Sequence, residues 1–123
     1  MKKILICDDA LFMRTLIRKA LEPLGYDVVG EAENGAQAIA MARELKPDLM
    51  TLDIVMPEMD GITALERIRK EEPGIRVVMV TAVDQREYMQ KAMRLGIADF
   101  IVKPFDDSRV ISAIDRALSR AWP

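Results

Sequence analysis

Apolar residues occur along the chain in five short runs, and each run is followed by a longer segment in which apolar residues recur every three or four positions. A short apolar run bounded by turn residues is typical of a strand buried on both faces, whereas the longer spacing is typical of a helix with one buried face. The predicted strands are residues 3–7, 27–32, 48–52, 75–80 and 98–102. The predicted helices are residues 10–22, 36–45, 61–71, 84–95 and 107–120.

The alternation of strands and helices determines the predicted fold class. It argues for an α/β domain with a doubly wound, five-stranded parallel sheet and helices on both faces. A chain of 123 residues is long enough for one such domain, which we place over residues 1–123. Residues 27–32 form the least apolar strand and are predicted to lie at an edge.

The fourth helix carries its own boundary signals. Asp84 is predicted to be its N-cap and Gly96 its C-cap, because these residue types favour those positions. Its spacing predicts that Met89, Ala92 and Met93 face inward.

Composition excludes several classes of function. The 18 basic and 20 acidic residues give a net charge of −2, without the basic excess typical of nucleic-acid binding, and the chain has no His for imidazole catalysis or metal binding. The single Cys7 lies in an apolar run and is predicted to be a small buried hydrophobe in a reducing cytoplasm. Asp8 and Asp9 end the first apolar run too early for a signal peptide, and we expect no membrane-spanning segment.

Polar residues follow four of the predicted strands. Ligands bind at the carboxyl ends of the strands in sheets of this type, so these side chains are candidates for one site. Each has a common structural explanation as a helix cap, a turn residue or a solvated charge, but their shared placement favours a site. The candidates are Asp8, Asp9, Asp53, Thr81 and Lys103.

The chemistry of these groups indicates phosphoryl transfer. Three carboxylates held together repel one another, and Lys103 supplies only one positive charge. Mg²⁺ prefers oxygen ligands and is commonly held by one or two carboxylates plus a phosphate. With Mg²⁺ bound, Asp53 could attack phosphorus and become an aspartyl phosphate, while Lys103 and Thr81 stabilise the phosphoryl oxygens.

Over its whole length, the chain resembles the receiver domain of two-component response regulators. The resemblance rests on Asp8-Asp9, on Asp53 with the segment 56–61 after it, on Thr81-Ala82 and on Lys103-Pro104-Phe105. It is greatest for the single-domain chemotaxis regulators, on account of Met13-Arg14, residues 33–35 and the lack of sequence after helix five. The resemblance implies a flavodoxin-like (βα)5 fold with strand order 2-1-3-4-5.

The resemblance also implies roles for individual residues. Asp53 would be the phosphoacceptor. Asp9, Asp53 and the carbonyl of Val55 would bind Mg²⁺ directly, with Asp8 acting through water. The phosphoryl group would be bound by Thr81, Ala82 and Lys103, with a cis bond between Lys103 and Pro104. Thr81 and Phe100 would form the switch pair, and Phe100 stands where the best-known chemotaxis regulators have Tyr.

The implied partners follow from the same resemblance. The phosphoryl donor would be the phosphohistidine of a chemotaxis-type sensor kinase, and a phosphatase could act on the product. The output surface would be helix four, strand five and helix five, binding a flagellar motor switch protein or another partner. Arg86, Lys91 and Arg94 give this surface a basic character, which favours an acidic amphipathic helix. We expect a cytoplasmic switch rather than an enzyme, with no membrane or direct nucleic-acid contact.

Three alternatives remain at this stage. A flavodoxin-like electron carrier would share the fold, but Asp8 and Asp9 would repel a phosphate from the loop that such a carrier needs. A phosphatase of the haloacid dehalogenase type also uses an aspartyl nucleophile, but has a second Asp where Val55 stands. The chain could also be a receiver domain from a transcription factor or other multidomain regulator, with residues 121–123 beginning a linker.

Overall fold

The computed structural model of the chain describes residues 1–82 and 84–122, so Pro123 of the possible linker lies outside the described residues. The strands are β1 (Lys3–Cys7), β2 (Asp27–Ala32), β3 (Leu49–Asp53), β4 (Arg76–Ala82) and β5 (Asp99–Lys103). The helices are α1 (Leu11–Leu21), α2 (Gly35–Leu45), α3 (Gly61–Glu71), α4 (Arg86–Leu95) and α5 (Asp107–Ser119), with a short 3-10 turn at Glu22–Leu24.

The strands form one parallel sheet in the order β2-β1-β3-β4-β5. The predicted fold class and strand order are confirmed, as is the edge position of β2. The order reverses between β1 and β3, so the loops that follow these two strands diverge and leave a crevice at the carboxyl edge of the sheet.

Helices cover both faces of the sheet because side chains alternate along each buried strand. In β1, Leu5 and Cys7 join the apolar cluster under α2, α3 and α4, whereas Ile4 and Ile6 join the cluster under α1 and α5. Cys7 is buried, as predicted, and belongs to the core. Among the described residues, no helix is long and apolar enough to cross a membrane.

Three helices begin at residues whose side chains cap them. Asn34, Asp60 and Asp106 accept hydrogen bonds from the backbone N–H three residues ahead, at 2.8, 2.8 and 2.9 Å. The prediction of Asp84 as the N-cap of α4 is wrong, because the helix begins at Arg86 with Gln85 at the cap position. The predicted C-cap, Gly96, is confirmed and has a φ of 108°.

Three strands extend beyond their predicted ends into the polar residues. Asp53 pairs with Val80, and Ala82 pairs with Lys103 in the β4–β5 ladder. The sequence prediction ended these strands at the last apolar side chain, but the ladder depends on backbone groups that every residue carries. The predicted inward position of Met93 is also wrong, since 57% of Met93 is exposed. Helix α4 covers the sheet with a narrow stripe that includes Met89 and Ala92.

Candidate functional site

Four parallel strands deliver the candidate side chains to one edge of the sheet. Asp53 and Lys103 are the last residues of β3 and β5, and Thr81 and Ala82 end β4 between them. Asp8 directly follows β1, the neighbour of β3 on its other side. The strand register therefore brings together groups that are widely separated in the sequence.

The acidic residues form a compact cluster. Asp8, Asp9 and Asp53 each offer a carboxylate oxygen, and these oxygens all lie within 4.8 Å of one another. Asp8 and Asp53 are only 1% and 5% exposed, whereas Asp9 is exposed. Asp8 Oδ1 accepts a hydrogen bond from the Ala10 N–H at 2.9 Å, which fixes this carboxylate at the start of α1. Asp9 does not cap this helix, since the N-cap residue is Ala10.

The ammonium group of Lys103 lies between the two buried carboxylates. Its Nζ is 3.0 Å from Asp53 Oδ2 and 3.2 Å from Asp8 Oδ2. Burial alone would lower the pKa of Lys103, but the charges and hydrogen bonds of Asp53 and Asp8 outweigh burial and raise it. Lys103 is therefore a fixed positive charge at the site.

One ammonium group does not balance the buried acidic charge. Burial, followed by repulsion from Asp8, raises the pKa of Asp53 from 3.8 to about 6. Lys103 and the Val55 N–H, 3.4 Å from Asp53 Oδ1, oppose this shift only in part. Asp53 is thus mostly ionised at neutral pH, but at an electrostatic cost that another cation would relieve.

The donor set fits a hard divalent cation such as Mg²⁺. All three acidic side chains offer oxygen, and the buried Asp8 Oδ2 has the Lys103 ammonium group, 3.2 Å away, as its one polar contact among the described residues. Cys7 is the only thiol in the chain, and burial, followed by the charge of Asp8, raises its pKa so that it stays protonated. Oxygen-only coordination favours Mg²⁺ over Zn²⁺.

The loop between β3 and α3 approaches Asp53 closely. The Gly61 N–H donates to the Ile54 carbonyl at 2.7 Å, and a Cβ atom on Gly61 would overlap the backbone oxygen of Asp53. Only glycine allows α3 to begin this close to the end of β3. Val55 lies in this loop, two residues after Asp53, and 55% of its surface is exposed. It therefore stands at the entrance to the Asp53 carboxylate.

Thr81 and Ala82 are held by a residue that sequence reasoning missed. Gln85 Oε1 accepts a hydrogen bond from the Ala82 N–H at 2.7 Å and lies 3.1 Å from Thr81 Oγ1. Thr81 is buried, and its hydroxyl is also 3.1 Å from the Ala82 carbonyl. The sequence places Gln85 within the predicted fourth helix, and a single glutamine carries no pattern that marks it as a contact of Thr81 and Ala82.

Phe100 and Pro104 occupy the positions at which the resemblance implied special roles. Phe100 is half-buried and packs against the apolar cluster under α4. It borders a cleft of about 430 Å³ between the end of β4, α4 and β5, whose lining includes Thr81, Gln85 and Met89. The peptide bond between Lys103 and Pro104 is cis.

The site combines an acidic crevice, a buried aspartate and a lysine on the last strand of a sheet with the order 2-1-3-4-5. This combination defines a class of protein. The chain belongs to the response regulator receiver domain family, whose pattern it matches over residues 4–115. It is a CheY-like receiver domain of a two-component response regulator.

Individual relatives support this assignment. The chain is 50% identical to the chemotaxis protein CheY of Bacillus subtilis over 117 residues, covering 95% of this chain and 98% of the relative. It is 44% identical to the chemotaxis protein CheY of Thermotoga maritima, covering 94% and 96% of the two chains. A structure of the CheX-CheY-BeF3-Mg+2 complex from Borrelia burgdorferi contains a chain that superimposes with a TM-score of 0.91 at 29% identity, covering 97% and 90%.

Proposed function

We propose that this receiver domain is a phosphorylation-activated chemotaxis switch that accepts a phosphoryl group on Asp53. The observation that carries the proposal is the position of the Asp53 carboxylate, which lies at the rim of the core, 3.0 Å from the Lys103 ammonium and within the acidic cluster. This arrangement provides a nucleophile, a positive charge for the incoming phosphoryl group and ligands for a cation in one crevice.

The proposed reaction is a transfer from a phosphohistidine of a sensor kinase. An Asp53 carboxylate oxygen attacks phosphorus, the new O–P bond forms, and the P–N bond breaks with its electron pair returning to the imidazole. A pKa of about 6 leaves most Asp53 side chains ionised at neutral pH, so the nucleophile is available. The domain keeps the phosphoryl group instead of releasing a product, so we regard it as a switch and not as an enzyme.

Residues of the crevice have distinct parts in this proposal. Asp9, Asp53 and the Val55 carbonyl would hold Mg²⁺, with Asp8 acting through water. Mg²⁺, when bound, offsets the negative charge of the carboxylates and of the phosphoryl oxygens. Lys103 pairs with the phosphoryl oxygens after the transfer. Its present contact with Asp53 already holds the ammonium group at the site of reaction.

The backbone N–H of Ala82 and the hydroxyl of Thr81 supply two further donors to the phosphoryl group. Both groups lie at the end of β4, where Ala82 pairs directly with Lys103. As Thr81 moves toward the phosphoryl group, Phe100 turns inward into the space beside α4. The cleft that Thr81 and Phe100 both border provides room for such a movement.

The proposed output surface comprises α4, β5 and α5. Tyr88 and Met93 are more than half exposed on α4, beside the exposed basic residues Arg86 and Arg94. This mixture of apolar and basic groups fits an acidic amphipathic helix of a flagellar motor switch protein or another output partner. The name of the CheY relatives supports a role in chemotaxis.

A phosphatase partner is also part of the proposal. The related CheY of Borrelia burgdorferi has been solved in a complex with CheX, beryllofluoride and Mg²⁺. We propose that a comparable partner removes the phosphoryl group here, and that both steps take place in the cytoplasm. The single buried thiol is consistent with a reducing compartment.

Phosphorylation by acetyl phosphate tests the central claim. Intact-mass spectrometry should show one added phosphoryl group in the presence of Mg²⁺ and none in Asp53→Asn, which keeps the shape of the side chain but removes the nucleophile. Asp107→Asn is the matched control, because Asp107 is exposed at the start of α5, and it should be labelled normally. Full labelling of Asp53→Asn would contradict the proposal, as would steady turnover of a generic phosphate ester.

A further inference from the structure

Gln85 makes contacts that the helix it precedes does not require. It is the N-cap residue of α4, yet its side chain caps no helix N–H. The side chain turns back to the end of β4 instead, where Oε1 receives the Ala82 N–H at 2.7 Å and lies 3.1 Å from Thr81 Oγ1. The Gln85 N–H also donates to the Ala82 carbonyl at 3.2 Å, which closes the turn.

We infer that Gln85 is a positioning residue that competes with the phosphoryl group for Thr81 and Ala82. The inference rests on the proposed function, in which these two residues donate to phosphoryl oxygens. The Ala82 N–H has one proton and the Thr81 hydroxyl has one, so neither group can donate fully to two acceptors at once. The carboxamide oxygen of Gln85 thus occupies the place of a phosphoryl oxygen in the unmodified protein.

The position of Ala82 connects this contact to the reacting groups. Ala82 pairs with Lys103 in the sheet, and Lys103 Nζ is 3.0 Å from Asp53 Oδ2. A phosphoryl group on Asp53 would therefore be attached next to the donors that Gln85 now uses. Its oxygens carry negative charge and accept stronger hydrogen bonds than a neutral carboxamide, so the phosphoryl group displaces Gln85.

Displacement of Gln85 also has a consequence for the surface of the protein. Gln85 lines the cleft beside Met89 and Phe100, directly before the first residue of α4. Once its side chain leaves these donors, Gln85 no longer joins the end of β4 to the start of α4 through that side chain. The two arrangements exclude each other, so occupancy of the site biases the position of α4 through one side chain.

The competition predicts whether a substitution of Gln85 strengthens or weakens the binding of a phosphoryl group. Gln85→Ala and the nearly isosteric Gln85→Met remove the competing acceptor, so both should bind beryllofluoride, a phosphoryl mimic, more tightly in the presence of Mg²⁺. The expected gain is about two- to tenfold, the equivalent of one neutral hydrogen bond. Gln85→Glu keeps an acceptor and adds a negative charge near the anion, so it should bind more weakly than the wild type.

A purely structural role for Gln85 predicts the opposite result for the two variants that lack the acceptor, Gln85→Ala and Gln85→Met. If Gln85 only holds the loop in place, its loss would make Thr81 and Ala82 less well ordered. Beryllofluoride binding would then weaken in all three variants. Gln90→Ala is the matched control, because this glutamine is exposed on the same helix and should leave the affinity unchanged. Isothermal titration gives the affinities. The Ala82 amide resonance of the unliganded protein should move in Gln85→Ala and Gln85→Met but not in Gln90→Ala.

The outcomes separate this inference from the proposed function. If the wild type binds beryllofluoride with Mg²⁺ and the folded Gln85→Ala and Gln85→Met variants bind no more tightly, the competition is refuted while the proposed function stands. If the wild type fails to bind beryllofluoride at all, both are refuted. Tighter binding in the two acceptor-free variants, together with weaker binding in Gln85→Glu, is the result that supports competition.

Discussion

Two clusters of partly buried charge lie on either side of the loop that follows β1, and they are built on opposite principles. Between α1 and β2, Glu31 is held by two guanidinium groups, with Arg14 Nε 2.8 Å from Oε1 and Arg18 Nε 2.8 Å from Oε2. At the carboxyl edge of the sheet, a single ammonium group faces two buried carboxylates, Asp8 and Asp53. The carboxylate of Glu22, 3.0 Å from Arg18 Nη1, completes the first cluster, which thus has two guanidinium groups for two carboxylates and is matched in charge, whereas the second cluster has acidic excess.

The pKa values show the consequence of this difference. Burial would raise the pKa of Glu31, but the hydrogen bonds and charges of Arg14 and Arg18 outweigh it and lower the pKa. Burial and repulsion raise the pKa of Asp53 to about 6 despite Lys103. A matched cluster therefore stabilises the fold by itself, whereas an unmatched one costs stability until a cation binds. An unmatched cluster of this kind is typical of a functional site.

The largest expected effect is the loss of the matched cluster. Arg14→Met should lower the free energy of unfolding by about 3 kcal/mol, because it leaves Glu31 with one fewer partner in a partly buried place. It also removes the donor to the Asp8 carbonyl, which Arg14 Nη1 contacts at 2.8 Å. Urea unfolding monitored by circular dichroism measures this change.

Arg18→Met is the matched control for the loss of Arg14. The Arg18 side chain is more exposed and contacts Glu31 at the margin of the protein, so its loss should cost about 1 kcal/mol. If Arg14→Met and Arg18→Met lowered the free energy of unfolding equally, burial would not determine how strongly each contact of this cluster stabilises the protein.

The unmatched cluster predicts a stabilising substitution. Asp53→Asn removes a buried charge that faces Asp8, so the metal-free variant should be more stable than the wild type at about pH 7.5, by about 1–2 kcal/mol after allowance for solvent at the rim. The gain should depend on pH. The pKa of Asp53 is near 6 in the folded protein and 3.8 in the reference state, so the folded protein binds the extra proton between these values. Stability of the wild type therefore falls as the pH rises through this window.

The difference between wild type and Asp53→Asn should accordingly disappear near pH 4, where Asp53 is largely protonated in the folded protein. Urea unfolding at about pH 4 and about pH 7.5 in the presence of a chelator measures it. A wild type that is more stable than the variant at the higher pH without divalent cations would show that Lys103 already balances the site.

Mg²⁺ should restore the folding stability that the acidic excess costs the protein. A ligand present at about ten times its dissociation constant stabilises the folded state by about 1.4 kcal/mol. Thermal unfolding with and without Mg²⁺ should show this gain in the wild type and little of it in Asp9→Asn, since Asp9 is the exposed carboxylate of the acidic cluster. An equal gain in wild type and Asp9→Asn would place the ion elsewhere.

The same contrast explains how far the sequence could predict the molecule. The fold follows from apolar periodicity, and the convergence of Asp8, Asp53 and Lys103 follows from the rule that parallel strands carry their ligands at the carboxyl edge. Both depend on regular repetition along the chain. The placement of Met93 and the start of α4 depend on how one helix lies on the sheet, and these were predicted wrongly.

The matched cluster and Gln85 had no signal in the sequence for a related reason. Arg14 and Glu31 are 17 positions apart and meet only because α1 and β2 are neighbours in space. Charged residues on helices and strands are usually solvated, so nothing in the sequence distinguishes this pair from the others. Gln85 likewise acts through a turn whose shape is determined by β4 and α4 together.

The smallest expected effect tests whether pairing alone stabilises the matched cluster. Glu22 lies four residues after Arg18 on the same stretch of chain, with Oε2 3.0 Å from Arg18 Nη1 and half of its side chain exposed. Glu22→Gln should lower the free energy of unfolding by only about 0.3–0.5 kcal/mol, and less in high salt, because water and ions screen such a pair. Its distance is close to that of the Arg14–Glu31 contact, so geometry does not separate the two pairs. A loss comparable to that of Arg14→Met would mean that charge matching, and not burial, distinguishes this cluster from the acidic crevice.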